Sequence, residues 1–137
     1  MKLLKYIAVL VIIISALFIN ASTFSQFKKV TVNAWKGVAS YYHPKFNGRK
    51  TSNGETFSNK KLTCANNFLK LGTYIRVTNS HNGKSVVVKV NDRMSPRNKR
   101  LIDLSQAAAE KLGLLNQGLG EVHIEVLNNN DGDIAVK

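Results

Sequence analysis

The chain of 137 residues has one cysteine, two prolines, three histidines and eight carboxylates. Each scarcity excludes something. A lone Cys64 cannot form an internal disulfide, so the fold must be held by its core. Cys64 sits in Leu62-Thr63-Cys64-Ala65 and reads as a small buried hydrophobe, with a catalytic thiolate as the minor alternative. His43, His81 and His123 fall at no metal-ligand spacing such as His-Glu-x-x-His, so no metal is expected. There is no Gly-x-Ser-x-Gly elbow, no Walker loop and no dinucleotide fingerprint, and no cofactor is expected. One long apolar run exists, Tyr6 to Ile19, interrupted only by Ser15. It is shorter than the roughly 20 residues a membrane-spanning helix needs.

That run follows a basic start, Met1-Lys2-Leu3-Leu4-Lys5, and precedes the small, polar stretch Asn20 to Ser25. The three parts together read as a secretory signal peptide over residues 1–25, with an uncleaved anchor as the alternative. No cysteine lies near residue 25, so no lipid anchor is expected and no stable membrane attachment after cleavage. Residues 26–35 read as a lead-in, 36–127 as one domain with its own core, and 128–137 as a frayed polar tail.

What the chain has in excess is positive charge: 20 Lys and Arg against 8 Asp and Glu, a net +12. This favours an anionic partner. Nucleic acid is the usual first thought for such a charge. An exported chain rarely meets it, so cell-envelope polymers are expected instead and nucleic acid is not.

Apolar and polar residues alternate in four stretches: Val30–Tyr42, Thr73–Asn79, Ser85–Asn91 and Glu121–Leu127. These read as strands. In the first, Gly37 marks a bulge or a close backbone approach. The second and third form a hairpin over Asn82-Gly83, with Val86, Val88 and Val90 on one face. In the last, Val122, Ile124 and Val126 face in and His123 and Glu125 face out. Leu101 to Ser105 is expected to open a helix, with Ser105 capping Gln106–Leu112, the carboxylate of Asp103 beside the cap, and Ala107, Ala108 and Leu112 on the core side. Several short strands and one small helix point to a closed or nearly closed β-barrel.

The chemistry concentrates where the third strand ends, at Asn91-Asp92-Arg93. A carboxylate at the mouth of a buried strand has its pKa raised by desolvation and lowered by nearby cations. Asp92 therefore reads as a candidate acid/base, or as a turn cap paired with Arg93. Glu55, the only acid in the polar loop His43–Lys61, is the second candidate, with a solvated loop charge as the alternative. One protonated acid suffices for a lytic cleavage of a glycosidic bond, since a hydroxyl of the substrate replaces water as nucleophile. Trp35, Tyr41, Tyr42 and Phe46 are candidates to stack on sugar rings, or else packing residues.

Several ordered blocks resemble the bacterial rare lipoprotein A (RlpA) family. They are Gly37-Val38-Ala39-Ser40-Tyr41-Tyr42, Phe46 to Glu55, Leu71-Gly72-Thr73, Asn82 to Val88, Val90-Asn91-Asp92-Arg93 and Ile102-Asp103-Leu104-Ser105. The resemblance covers about Lys36 to Leu127. It implies a mainly β fold, a six-stranded double-psi β-barrel with one short helix. It further implies an endolytic peptidoglycan transglycosylase of the bacterial periplasm or cell envelope. Such an enzyme cuts between N-acetylmuramic acid and N-acetylglucosamine and leaves a 1,6-anhydro end. A non-catalytic, expansin-like polysaccharide-binding module is the alternative. The family's acid maps onto Asp92 and its Glu onto Glu55, as catalytic carboxylates. Asn66, Asn91, Arg93, Tyr41 and Tyr42 are then expected to line the glycan site. Asn66 stands where the family often has His, and Met94-Ser95 where it commonly has Gly-Pro. The family's lipobox cysteine and C-terminal glycan-binding repeat find no counterpart, so a soluble exported form is expected.

Overall fold

The computed structural model describes residues 1–7 and 33–127. The chain divides into two compact units, Met1–Thr31 and Val32–Lys137. In the first, residues 2–7 are helical. Most of the expected leader, the start of the first expected strand and the tail at 128–137 lie outside the described residues. Among the described residues no helix is long and apolar enough to cross a membrane.

The second unit is a closed barrel of six strands. They are β1 (Ala34–Tyr41), β2 (Thr63–Ala65), β3 (Tyr74–Asn79), β4 (Ser85–Asp92), β5 (Ile102–Leu104) and β6 (Gly120–Val126), with one α-helix, α1 (Gln106–Lys111). The order around the barrel is β1-β5-β2-β4-β3-β6. β1 runs parallel to β5 and β2 parallel to β4, while the other pairs are antiparallel.

The long strands follow from their alternation. Ile75 and Val77 of β3 sit opposite Val88 and Val86 of β4, and all four point inward. Gly83 closes the β3–β4 hairpin at φ 74°, a conformation that suits glycine. Val122 and Ile124 of β6 complete that wall, and Val126 is only half buried. Closure leaves no sheet edge to template aggregation.

Of the two short strands, β5 contradicts the sequence reading and β2 falls where the sequence assigned no element. Leu101–Ser105 does not open a helix: Ile102–Leu104 is a strand wedged between β1 and β2, with Ala39 opposite Ile102 and Cys64 opposite Leu104. Ile102 and Leu104 are fully buried, and Asp103 between them faces out of the core. A three-residue apolar-polar-apolar run fits one turn of helix as well as it fits a strand. β2 has all three residues buried and so shows no alternation.

The helix begins at its expected cap, with the Ser105 hydroxyl accepting the Ala108 N–H at 3.3 Å. It ends at Lys111, and Ala108, Ala109 and Leu112 are the buried residues; Ala109 takes the place expected for Ala107. Cys64 is fully buried, and burial pushes its thiol well above the ordinary range. A thiol held neutral this way is core, not nucleophile.

Candidate active site

Three segments converge at one end of the barrel. β1 ends in Tyr41 and delivers Tyr42 just beyond it; β4 ends in Asn91-Asp92; and the long loop between β1 and β2 folds back over both. That loop starts with a 3-10 turn, Pro44–Phe46, capped by the His43 ring nitrogen accepting the Lys45 N–H at 3.2 Å. It then forms a tight hairpin, closed by a bridge between Lys50 and Thr56. The result is a cavity of about 640 Å³ whose wall includes Tyr42, Phe46, Arg49, Asp92, Ser95 and Arg100.

Asp92 is the centre of the arrangement. Its Oδ2 accepts the Tyr42 hydroxyl at 2.7 Å. Its Oδ1 accepts three donors: the Ser52 N–H at 3.0 Å, the Ser52 hydroxyl at 2.7 Å and the Arg93 N–H at 2.8 Å. Burial alone pushes this carboxyl up, but the hydrogen bonds stabilise the ionised form and together hold it below the usual carboxylate range. Of the two opposing influences expected at a strand mouth, the lowering one prevails, and it comes from hydrogen-bond donors. The alternative pairing with Arg93 does not form either. The Arg93 guanidinium turns away and donates to the Asn66 carbonyl.

Tyr42 is held by its ring as well as its hydroxyl. It packs on Phe57 at 4.3 Å between centroids and meets Phe46 edge-on at 5.7 Å. Burial, then the hydrogen bond to Asp92, push its phenol far above the ordinary value. It remains protonated and serves as a fixed donor. Tyr41 also faces the cavity, but its hydroxyl is committed to the Leu115 carbonyl at 3.0 Å. Asp103, expected beside the helix cap, is in the cavity wall and is gripped by Arg100 at 2.7 Å. Trp35 is elsewhere, packed on Phe68 with centroids 5.1 Å apart.

The second carboxylate is not in this cavity. Glu55 forms an ion pair with Lys89 and accepts the Asn91 side-chain N–H at 3.1 Å. Lys89 first, then Asn91, hold its pKa down at about 2. Its side chain faces a separate hollow of about 450 Å³ that it shares with Lys60, Lys61, Thr63 and Tyr74.

Asn66 and Asn91 also stand behind the site rather than in it. Asn66 is fully buried and spends its amide on the Leu101 carbonyl at 3.0 Å and on the N–H groups of Phe68 and Leu69 at 3.0 and 2.8 Å. Asn91 is 2% exposed and holds Glu55. In the structure each braces a loop. Sequence reasoning missed Ser52 and Phe57. Ser52 is one polar residue among many in its loop. Only its place at a Thr-Ser-Asn-Gly turn hinted that it would be held still.

Chemically, Oδ1 of Asp92 is saturated by donors while Oδ2 carries one and keeps an open lone-pair direction. A single carboxylate so arranged can give and take one proton at Oδ2. No group of three or more metal-ligating side chains occurs among the described residues.

Residues 34–124 match the lytic transglycolase family profile. The endolytic peptidoglycan transglycosylase RlpA of Haemophilus influenzae is 50% identical over 93 residues, covering 68% of this chain and 32% of that protein. The RlpA of Campylobacter jejuni is 39% identical over 121 residues, covering 86% of this chain and 44% of that protein. The chain thus spans well under half the length of these relatives. Among solved structures, the Streptomyces papain inhibitor superposes with a TM-score of 0.58 at 22% identity, over 73% of this chain and all of that one. The apo expansin of Clavibacter michiganensis superposes with a TM-score of 0.57 at 21% identity, over 70% of this chain and 51% of that one. With these neighbours the fold is the mainly β, six-stranded double-psi barrel with one short helix.

Proposed function

The chain belongs to the lytic transglycolase family, and we propose that its barrel is an endolytic peptidoglycan lytic transglycosylase with Asp92 as its acid/base. The observation that carries this reading is the carboxylate of Asp92 in the cavity wall, fixed at Oδ1 by three donors and carrying only the Tyr42 hydroxyl at Oδ2. In the forward reaction the protonated Asp92 gives its proton to the glycosidic oxygen between N-acetylmuramic acid and N-acetylglucosamine as the C1–O bond breaks. The carboxylate then takes the proton of the muramyl C6 hydroxyl as that oxygen bonds to C1. A 1,6-anhydro ring results, water is not consumed and Asp92 ends protonated as it began. Free Asp92 is ionised at neutral pH. A glycan that covers Oδ2 strips away water, strengthens the desolvation that already opposes ionisation, and favours uptake of the proton.

Tyr42 and Phe46 supply apolar faces for sugar rings, and Tyr41 backs them. Arg93 braces the wall by holding the loop at Asn66, while Asn91 and Glu55 brace the hairpin. On this reading residues 1–25 are an export leader and 26–35 a lead-in. Residues 36–127 are the catalytic barrel, and 128–137 a tail. The protein works in the bacterial periplasm or cell envelope, on glycan strands and without a cofactor.

The test is digestion of purified peptidoglycan by residues 26–137, with products read by mass spectrometry. Wild type should release anhydro-muramyl products, and Asp92→Asn should release none while melting at a similar temperature. Retention of both forms on the pellet with no soluble product would instead make the barrel an expansin-like binding module.

A further inference from the structure

The Asp92 carboxylate is held in part by the hairpin between Lys50 and Thr56. The hairpin's tip is pinned from inside. The Thr51 N–H donates to the Glu55 carbonyl at 2.8 Å and the Gly54 N–H to the Thr51 carbonyl at 2.9 Å. The Thr51 hydroxyl and the Glu55 N–H both donate to the Asn53 side-chain oxygen, at 2.7 and 3.1 Å. Gly54 takes φ 88°, which lets the chain reverse there. The hairpin is tied to the end of β4 at three points. On one side Ser52 meets Asp92 through its N–H and its hydroxyl. In the middle the Asn53 N–H donates to the Asn91 carbonyl at 3.2 Å. On the other side Glu55 is held by Lys89 and Asn91.

These ties divide the labour. Ser52 supplies two of the four donors on Asp92. Glu55 has one oxygen on Lys89 and the other on Asn91, and it faces the neighbouring hollow rather than the cavity of Asp92. We propose that Ser52 is a positioning residue for Asp92, and that Glu55 influences the reaction only through Ser52, as the anchor of this hairpin. The inference rests on the transglycosylase reading for its catalytic part. Its structural part, a lock on Lys89 that orients a donor on Asp92, stands without it.

Four variants decide the matter: Ser52→Ala, Glu55→Gln, Lys89→Met and the Ser52→Ala/Glu55→Gln double. Lys89→Met unlocks the hairpin while leaving the Glu55 carboxylate in place. The first readout is the titration of the Asp92 carboxyl carbon by NMR in the substrate-free protein, which requires no activity. Ser52→Ala removes a donor from the ionised form, so the Asp92 pKa rises. Glu55→Gln and Lys89→Met should each raise it by a smaller amount. The double should match Ser52→Ala alone, because one pathway cannot be cut twice. The other charged groups facing the cavity, Lys45, Arg49, Lys50, Arg93 and the Arg100–Asp103 pair, are common to all variants, as is His43.

The second readout is kcat/KM for glycan cleavage against pH. If protonated Asp92 is the acid, activity falls as pH rises through its pKa. Ser52→Ala should move that fall to higher pH and lower the acid plateau by on the order of tenfold, the scale of one charge-assisted hydrogen bond. Ser52→Thr keeps the hydroxyl and should recover most of the loss. An Asp92 titration unmoved by Ser52→Ala would overturn the proposal. So would Glu55→Gln abolishing turnover while Lys89→Met spares it, or single effects that multiply in the double. If wild type cuts no glycan, the transglycosylase reading fails, and the NMR titrations still decide the hairpin lock.

Discussion

Asp92 shows how a carboxylate can be buried and yet kept ionised. Desolvation is the largest single influence on it and acts upward, but four hydrogen bonds act together in the other direction and prevail. Tyr42 is the donor whose removal is cleanest, since Phe keeps the ring stacked on Phe57 and deletes only the 2.7 Å bond to Oδ2. Losing a donor to the charged form raises the Asp92 pKa. For an acid that must be protonated, activity is present below the pKa and lost above it. Tyr42→Phe should therefore shift the descending limb of kcat/KM to higher pH, read by assays across the acid and neutral range. An unmoved limb would mean that Asp92 does not set the pH dependence. Asp92 was legible from sequence because an apolar strand running into an acid is a local pattern. Ser52 was not, because what makes it matter is a partner 40 residues away. For Asn66 and Asn91 the neighbourhood was legible and the hydrogen-bond partners were not. Sequence gives a residue's type, but burial decides whether its amide faces a ligand or a loop.

The same distinction holds for elements. β3, β4 and β6 were legible because six to eight alternating residues outvote any local ambiguity. β2 and β5 were not, since three residues carry no period, and only closure of the barrel between β1 and β4 makes them strands. Gly37 sits at a close approach within that closure. Modest as a sequence signal, it marks the crossing of β1 with the chain entering β5: a Cβ built there would lie 2.8 Å from the Leu101 Cβ. The Leu101 Cβ is fixed to its backbone and cannot swing aside, so the strand or the loop must move. Gly37→Ala should cost about 1–3 kcal/mol, the range for overpacking a filled interior. Urea unfolding would read it as a lower midpoint at unchanged slope. Wild-type stability would show that β1 and the β5 approach have more slack than the contact implies. The cost at Gly37 is one of space, whereas Gly48 and Gly54 have open space where a Cβ would stand and are held to glycine by their positive φ instead.

For the whole molecule the governing quantity is charge. The chain carries a net +12, and two of the acids near the site are already matched: Asp103 is held by Arg100 and Glu55 by Lys89. Among the described residues Lys45, Arg49, Lys50 and Arg93 at the cavity form no ion pair. The charged groups of Lys45 and Arg49 lie 5.4 and 5.3 Å from the Phe46 ring centroid, which places positive charge beside an apolar ring. Peptidoglycan carries carboxylates, so on the proposed reading these cations act in capture rather than in bond cleavage. Exposed charges act over a Debye length of about 10 Å at 0.1 M salt and about 3 Å at 1 M. Raising salt should therefore raise KM for peptidoglycan several-fold and leave kcat nearly unchanged. Lys45→Glu/Arg49→Glu should raise KM at low salt and flatten the salt dependence. A neutral β-1,4-linked N-acetylglucosamine oligomer supplies the control, because its binding to the same cavity has no counter-charge to lose. Pelleting assays with each polymer at two salt concentrations separate the outcomes. Equal salt dependence for both would assign it to something other than charge attraction at this rim. No salt dependence for peptidoglycan would mean that the basic surface serves another partner, and that sugar stacking on Tyr42 and Phe46 carries the binding by itself.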